Sequence, residues 1–156
     1  MRVLFVCSGN TCRSPMAAGI ARGLAAARGL AGVEFASAGT GAVLGSPATD
    51  GALLVSMEQG VDIGEHRSRP LTAEEVAGAD LVLTMGTGHL ERAQQLGGAG
   101  KSFLLTDYAS RGAAPRPVSD PFGAELQVYR QTFQELQREI ERVIDRLQEE
   151  RGAGTA

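Results

Sequence analysis

Apolar side chains follow two patterns along the chain, and together they predict its secondary structure. Short stretches rich in β-branched and aromatic residues predict four strands. The stretch 3–6 and the centre of the stretch 79–85 have continuous rather than alternating apolar residues, as is typical of strands buried on both faces of a parallel sheet. The other two predicted strands are residues 33–38 and 101–105. Helical spacings and boundary residues predict helices at 16–28, 48–59, 72–78, 87–95 and 124–149.

Residues near the helix ends support these boundaries. Thr72 and Glu75 have the spacing of a capping box at the start of the third helix. In the second helix, we expect Leu53, Leu54 and Met57 to form the buried side. Because strands alternate with helices, the chain is predicted to be an α/β protein with a parallel sheet. Right-handed crossovers then place helices on both faces.

The first predicted strand leads into a short polar loop and then into a helix. Cys7 ends the strand and Arg13 lies at the mouth of the helix, with Ser14 as a candidate cap and Pro15 in the first turn. The backbone amides of the loop are expected to converge on an anion. The loop consists of Ser8, Gly9, Asn10, Thr11 and Cys12.

Cys7 is a candidate nucleophile at this position. The helix N-terminus, the loop N–H groups and Arg13 create a positive potential that favours the thiolate form of its side chain. The planar guanidinium of Arg13 can hold two oxygens of a phosphate, which would present its phosphorus to the sulfur. Phosphoryl transfer to Cys7 is therefore predicted. The alternative is a small buried apolar residue that ends a core strand.

The stretch VCSGNTCRSPMA, residues 6–17, resembles the phosphate-binding loop of the low-molecular-weight protein tyrosine phosphatase family. The resemblance continues along nearly the whole chain, through SAGT at 37–40, HRSRPLT at 66–72, ADLVLTM at 79–85 and DPFG at 120–123. In detail the chain is most similar to the bacterial protein arginine phosphatase branch. That branch has threonine at the position of Thr11, where tyrosine-specific members usually have an aliphatic residue.

This resemblance implies the topology and the supporting residues of the site. It implies a four-stranded sheet in the order 2-1-3-4, with Cys7 at the carboxyl end of a central strand beside a switch point. It also implies that Ser37 and Asn10 belong to a network that holds the phosphate loop, and that His66 supports the site. The alternatives are a strand-end serine for Ser37 and a surface histidine for His66.

A long loop, residues 106–119, lacks apolar periodicity and leads to Asp120. Phosphoryl transfer through a cysteine needs an acid for the leaving group and then a base for water, and one carboxyl group can serve as both. The resemblance at DPFG assigns this role to Asp120, which we favour over Asp107. The alternative is that Asp120, which precedes a proline, is only a helix cap or turn residue.

The predicted function is that of a cysteine-dependent phosphatase acting on phosphoarginine in proteins, with a phosphocysteine intermediate and inorganic phosphate as product. A polar Thr11 near Asp120 suits the N–H donors of a guanidinium. Phe122 is a single aromatic residue beside Asp120, where many tyrosine-directed relatives have two. One surface on which a phosphotyrosine ring could stack is therefore absent, which favours phosphoarginine. Phosphotyrosine in proteins is the alternative substrate. Ser14 is expected to donate to Cys7, and no metal or cofactor is needed because the loop and Arg13 supply the positive charge.

Two other classes share parts of this pattern. Arsenate reductases have the same loop and fold but need a further cysteine, and this chain has only Cys12, inside the loop. A phosphate-binding module without catalysis is the non-enzyme alternative, and the presence of Asp120 argues against it. Cys12 itself is either a packing residue or the partner of an oxidised Cys7 in a protective disulfide, and we favour this redox-sensitive interpretation.

Length and composition predict one domain, residues 1–151, followed by a frayed tail, residues 152–156. A net charge of −3 gives no general attraction to nucleic acid or to anionic membranes, so neither is an expected partner. The chain has no signal-peptide pattern and no apolar stretch of membrane-spanning length. We therefore expect a cytoplasmic protein. His89 is expected on the exposed side of its helix, and no metal site is predicted.

Overall fold

Four parallel strands form one sheet in the order β2-β1-β3-β4, which confirms the predicted topology. The computed structural model describes the backbone of residues 1–155 and the side chains of residues 1–152. The strands are β1 (Arg2–Cys7), β2 (Glu34–Gly39), β3 (Leu81–Thr84) and β4 (Ser102–Leu104). β1 and β3 are the central strands, and Cys7 is the last residue of β1.

Six α-helices connect and cover the strands. They are α1 (Arg13–Ala27), α2 (Asp50–Glu58), α3 (Ala73–Ala77), α4 (Thr87–Ala93), α5 (Leu105–Ser110) and α6 (Leu126–Thr155). A π-helical turn, Gln94–Gly98, follows α4 and includes Gly97 with a φ of 103°. The capping prediction for α3 is confirmed, because the Thr72 hydroxyl accepts from the amide of Glu75 at 3.1 Å.

The core consists of two apolar layers, one on each face of the sheet. Alternate residues of β1 face opposite sides: Val3 and Phe5 belong to one layer, Leu4 and Val6 to the other. The larger layer contains the buried sides of α1, α2, α5 and α6, and the smaller one contains residues of α3 and α4. The strand interiors are therefore buried on both faces, as their continuous apolar runs predicted.

Three helices differ clearly from the sequence prediction: α1 begins at Arg13 and not at residue 16, α5 was not predicted, and α6 continues past its predicted end. The first part of the predicted loop 106–119 forms the short helix α5, in which Leu105, Tyr108 and Ala109 are buried at helical spacing. One such turn is too short to give a periodic signal in the sequence. At the other end, α6 continues in the described backbone to Thr155, past its predicted end near residue 149 and into the predicted tail. Ala156 lies outside the described residues.

The buried side of α2 is the predicted one only at Leu53, which is partly buried against the core. Leu54 and Met57 are 48% and 71% exposed, whereas Ala52 and Val55 are buried. α2 packs against α6 closely enough that a Cβ atom at Gly51 would lie 2.6 Å from the ring of Tyr129. Small side chains allow this close approach, and the large apolar ones therefore point away from it.

Three loops meet at the carboxyl ends of β1 and β3. The loop after β1 joins α1, the one after β3 joins α4, and residues 111–119 reach the same edge because the Val118 amide donates to the carbonyl of Met85 at 2.8 Å. β1 and β3 lie on opposite sides of the point where the strand order reverses, where open α/β sheets bind ligands. None of the helices in the described chain is long and apolar enough to cross a membrane.

Candidate active site

The loop between β1 and α1 has a fixed backbone conformation. Asn10 is buried and has a φ of 56°, in the left-handed region that asparagine tolerates better than most residues. The carbonyl of Ser8 accepts from the amide of Gly41 at 3.0 Å, and the carbonyl of Thr11 accepts from the amide of Thr49 at 2.9 Å. A Cβ atom at Gly39 would lie 2.4 Å from the Ser8 carbonyl oxygen, so only glycine fits beside the loop.

A directed chain of hydrogen bonds connects the Asn10 side chain to Cys7. Asn10 Oδ1 accepts from the amide of Arg69 at 3.0 Å, which leaves its Nδ2 group to donate to Ser14 Oγ at 2.7 Å. Because Ser14 accepts from Asn10, its own hydroxyl hydrogen is free for Cys7 Sγ, which lies 2.9 Å away. This arrangement suits a thiolate at Cys7. It also means that Ser14 does not cap α1, which has Cys12 at its N-cap and no side-chain cap.

His66 and Ser37 contact the same network from outside the loop. His66 Nε2 lies 2.6 Å from the carbonyl oxygen of Asn10, and the Ser37 carbonyl accepts from Nε of Arg69 at 3.0 Å. The contact of Ser37 is thus made by its backbone. Burial lowers the pKa of His66 and outweighs the bond to Asn10, which acts in the opposite direction, so the ring is neutral and donates to the carbonyl.

Arg13 is buried at the start of α1 and points toward the same pocket. Its Nη1 group donates to the carbonyl of Val118 at 2.9 Å, and its Nη2 atom lies 3.5 Å from Oδ2 of Asp120. The loop before α6 therefore brings Asp120 to Arg13, although 107 residues separate the two in the chain. The guanidinium is held in one orientation with part of its donor set facing the pocket.

Asp120 has a half-exposed side chain at the mouth of this pocket. Its Oδ1 atom accepts from the amide of Phe122 at 3.1 Å. Asp120 therefore also makes the contact expected if it were only a turn residue before a proline. The pocket has a volume of about 190 Å³. The residues that line it are Cys7, Ser8, Gly9, Thr11, Cys12, Arg13, Asp120 and Phe122. Asp107 lies in α5 and is not among these lining residues.

Cys12 lines the pocket and also contacts residues outside the loop, before α2 and in α6. Its Sγ atom lies 3.3 Å from Thr49 Oγ1 and 3.4 Å from the hydroxyl of Tyr129. Burial, together with the bond to Cys12, raises the pKa of Tyr129 to about 12, so the phenol stays protonated. Both cysteines are free thiols. A disulfide between Cys7 and Cys12 remains a prediction.

His89 is the site residue that the sequence interpretation missed. It is half-buried rather than exposed, and its Nε2 atom lies 2.8 Å from Ser8 Oγ. The prediction of an exposed position was wrong because α4 turns this residue toward the loop after β1. The available signal was its place shortly after β3, whose carboxyl end lies beside that of β1 and Cys7. Among residues 1–152, no group of three or more His, Cys, Asp or Glu side chains could hold a metal ion.

The fold and the site together define a class: parallel α/β proteins in which a loop after a central strand carries a cysteine thiol and an arginine around an anion-sized pocket. Comparisons with known proteins agree with this description. A family profile described as low molecular weight phosphotyrosine protein phosphatase matches residues 2–153. The chain belongs to this family of protein phosphatases.

Relatives with more specific names match over nearly the full length. The protein-arginine-phosphatase of Geobacillus stearothermophilus is 40% identical over 96% of this chain and 97% of its own. A mutant of the YwlE arginine phosphatase with a phosphorylated active-site serine superposes with a TM-score of 0.89, at 37% identity over 95% of this chain and 96% of its own. A low molecular weight protein tyrosine phosphatase from T. tengcongensis is 42% identical, with a TM-score of 0.86 over 94% of this chain and 99% of its own.

Proposed function

We propose that this protein hydrolyses phosphoarginine in proteins, with Cys7 as nucleophile, Arg13 as phosphate clamp and Asp120 as acid and base. The observation that carries the proposal is the pocket in which Cys7, Arg13, Thr11 and Asp120 meet. Its volume of about 190 Å³ fits a phosphoryl group and the first atoms of the side chain that bears it. The names of relatives similar to this chain support the substrate class.

The first step forms a bond between the sulfur of Cys7 and phosphorus and breaks the bond between phosphorus and the guanidino nitrogen. Asp120, as a carboxylic acid, gives its proton to that nitrogen, so arginine leaves with its full complement of protons. A bound phosphate takes the place of Asp120 as the partner of Arg13.

The second step returns the enzyme to its starting state. Asp120, now a carboxylate, accepts a proton from a water molecule as the water oxygen attacks phosphorus. The bond between sulfur and phosphorus breaks, inorganic phosphate forms, and Cys7 is again a thiolate. The hydroxyl of Ser14, 2.9 Å from the sulfur, stabilises that leaving thiolate.

The wall of the pocket favours phosphoarginine. Thr11 is half-buried in the lining of the pocket, to which Asp120 also belongs, and it carries a hydroxyl. A guanidinium offers N–H donors to both groups, whereas an aromatic ring offers none along its edge. With phosphoarginine bound, the polar groups of Thr11 and Asp120 are paired, whereas a phosphotyrosine ring leaves them unpaired. This difference favours phosphoarginine over phosphotyrosine.

Phosphotyrosine is the second candidate substrate, because one aromatic residue, Phe122, is available to contact its ring. This ring is 68% exposed and lines the pocket, where it could pack against the ring of a phosphotyrosine. Relatives similar to this chain include proteins named as tyrosine phosphatases.

Substitutions of Thr11 separate the two candidates. We expect the kcat/KM of the wild-type protein to be higher on a phosphoarginine peptide than on the matched phosphotyrosine peptide. Thr11→Val, which replaces the hydroxyl with a methyl group of similar size, and Thr11→Ile should each lower the phosphoarginine value about 10- to 100-fold, because one polar contact is lost. Phosphotyrosine turnover should change little.

Two further variants serve as controls. Thr11→Ser keeps the hydroxyl and should keep the substrate preference, and Cys7→Ser should abolish turnover of both peptides. A tyrosine preference that Thr11→Ile leaves unaltered would contradict the phosphoarginine proposal. Hydrolysis of an aryl phosphate by Cys7→Ser at the wild-type rate would contradict the phosphocysteine mechanism itself.

A further inference from the structure

His89 and the hydroxyl of Ser8 meet at the rim of the pocket, and the chemistry proposed above uses neither. Nε2 of His89 lies 2.8 Å from Ser8 Oγ, and Ser8 lines the pocket. The charged groups that act on the ring from the neighbouring elements are Arg13 at the start of α1 and Asp120 in the loop before α6. The histidine therefore lies within the electrostatic field of the reacting groups.

The surroundings of the ring identify the nitrogen that carries the proton. Nδ1 of His89 is buried and has no hydrogen-bond partner among the described residues. A proton there would be a buried donor without an acceptor, which is rare in folded proteins. Burial and the charge of Arg13 lower the pKa of His89, against a smaller opposite effect of Asp120, so the ring is neutral. Its single proton is then on Nε2, and Nε2–H donates to Ser8 Oγ.

This direction of donation determines what the serine can do. A hydroxyl oxygen that accepts from His89 keeps its own hydrogen for another acceptor. Ser8 is exposed to the pocket, where the phosphoryl oxygens of a substrate would lie. We infer that His89 is a positioning residue that holds the Ser8 hydroxyl as a donor to the phosphoryl group, in addition to the loop amides and Arg13.

The inference rests on the proposed function in one respect, that a phosphoryl group occupies the loop. It does not depend on whether arginine or tyrosine carries that group. Suitable probes are therefore 4-nitrophenyl phosphate for turnover and inorganic phosphate for binding, the latter measured both as product inhibition and by calorimetry.

Ser8 gives the most direct test. Ser8→Ala should lower kcat/KM for 4-nitrophenyl phosphate about 10- to 100-fold, because a hydrogen bond to a charged group is lost, and it should weaken phosphate binding in the same direction. Ser8→Thr keeps the hydroxyl and should stay within about threefold of wild type. Because Ser8 is exposed, neither variant should change the midpoint of thermal unfolding.

His89 should act only through Ser8. His89→Ala should lower kcat/KM by a factor similar to that of Ser8→Ala, and the double variant should be no slower than Ser8→Ala alone. His89→Gln places an amide N–H donor near the position of Nε2 and should restore most of the activity. Thr87→Ala, at an exposed position of the same helix, is the matched control and should match wild type.

Three results would overturn the inference. They are Ser8→Ala within twofold of wild type in both turnover and phosphate binding, additive losses in the double variant, and no rescue by His89→Gln in folded protein. If His89→Ala fails to fold, the two Ser8 variants decide. If wild-type protein fails to turn over 4-nitrophenyl phosphate, the proposed function fails, while phosphate affinity by calorimetry still tests Ser8 and His89.

Discussion

At the scale of the residue, the orientation of the Asn10 side-chain amide determines the direction of the hydrogen bonds that lead to Cys7. The amide of Arg69 fixes which end of the Asn10 side chain is the acceptor, and the donor end then faces Ser14. Ser14 is consequently a donor to the sulfur and not a helix cap. A buried polar chain of this kind stabilises a charged atom at its end when every member is paired.

Ser14→Ala should therefore impair catalysis more than folding. We expect kcat on an aryl phosphate to fall about 10- to 100-fold through loss of a hydrogen bond to the thiolate, and the free energy of unfolding to fall by about 1 kcal/mol because Nδ2 of Asn10 loses its acceptor. Steady-state kinetics and urea denaturation measure the two effects. Alkylation of Cys7 by iodoacetamide at neutral pH should also become slower.

Ser56→Ala is the matched control for this prediction. Ser56 is equally buried, but its hydroxyl has no hydrogen-bond partner within the described part of the chain. Its removal should leave activity unchanged and should not lower stability. A Ser14→Ala variant that behaves like Ser56→Ala would contradict the role of Ser14.

The carboxyl group of Asp120 gives a second prediction at this scale. Asp120→Asn should lower kcat about 10²- to 10⁴-fold, because the amide cannot transfer a proton to the leaving group. The loss should be largest for the substrate with the poorest leaving group and smallest for 4-nitrophenyl phosphate. Asp107→Asn, in α5, should stay within twofold of wild type. Equal losses in the two variants would contradict the assignment to Asp120.

At the scale of the element, α6 contributes to the site through a contact with α2 and the phosphate loop. The hydroxyl of Tyr129 accepts from Thr49 Oγ1 at 3.1 Å and lies 3.4 Å from Sγ of Cys12. The ring reaches this position only because Gly51 in α2 has no side chain, since a Cβ atom there would lie 2.6–2.8 Å from three ring atoms. The packing of these two helices thus fixes the outer side of the loop.

Gly51→Ala tests this contact, because here alanine should lower the free energy of unfolding, although it usually raises it when it replaces glycine in a helix. Alanine normally stabilises a helix interior by about 1 kcal/mol relative to glycine. Here we expect a net destabilisation of about 1–2 kcal/mol, because overpacking against Tyr129 exceeds that gain. Gly23→Ala in α1, where no atom lies within 4 Å of the added Cβ, should stabilise the protein.

A double-mutant cycle completes the test of the helix contact. In a Tyr129→Leu background, the cost of Gly51→Ala should shrink or change sign, because the smaller side chain removes the clash. Urea denaturation at neutral pH measures all of the differences in the free energy of unfolding. An unchanged cost in both backgrounds would contradict the proposed contact.

At the scale of the whole molecule, both histidines connect separate parts of the fold to the loop after β1. His66 reaches it from the segment before α3, and His89 reaches it from α4. Burial lowers the pKa of both below the ordinary value of 6.5, and nearby arginines act in the same direction. Each ring is therefore held in its neutral form by the folded state.

The sign of the resulting pH dependence follows from proton binding. Below about pH 6.5 the unfolded chain binds protons at both histidines, whereas the folded protein does not until the pH reaches their lowered pKa values. The free energy of unfolding should therefore fall as the pH is lowered from 7.5 through 6.5 to 5.5. Urea denaturation at these three values should show a smaller fall for the double variant His66→Gln/His89→Gln. Parallel curves for the two proteins would contradict this account.

The candidate site divides into residues that the sequence could identify and residues that it could not. Cys7, Arg13 and the loop between them are adjacent in the chain, so their spacing alone indicated an anion site at the start of a helix. The role of Asp120 needed the resemblance to a family, because nothing local distinguishes it from Asp107. His89 lies 81 residues from Ser8, and no spacing rule connects the two.

By itself, the sequence determined the succession of strands and helices along the chain, apart from α5, and a candidate anion-binding loop after β1. These features depend on local properties: continuous apolar runs, helix-boundary residues, and the short distance between Cys7 and Arg13. Tertiary structure decided which side of α2 is buried, that residues 105–110 form a helix, and that Tyr129 and His89 reach the phosphate loop. Those outcomes depend on how closely two elements can approach each other. The distance of approach is set by the side-chain volumes and polar partners of both elements, and not by the sequence pattern of either element alone. Examples are Gly51 against Tyr129 and Ser8 against His89.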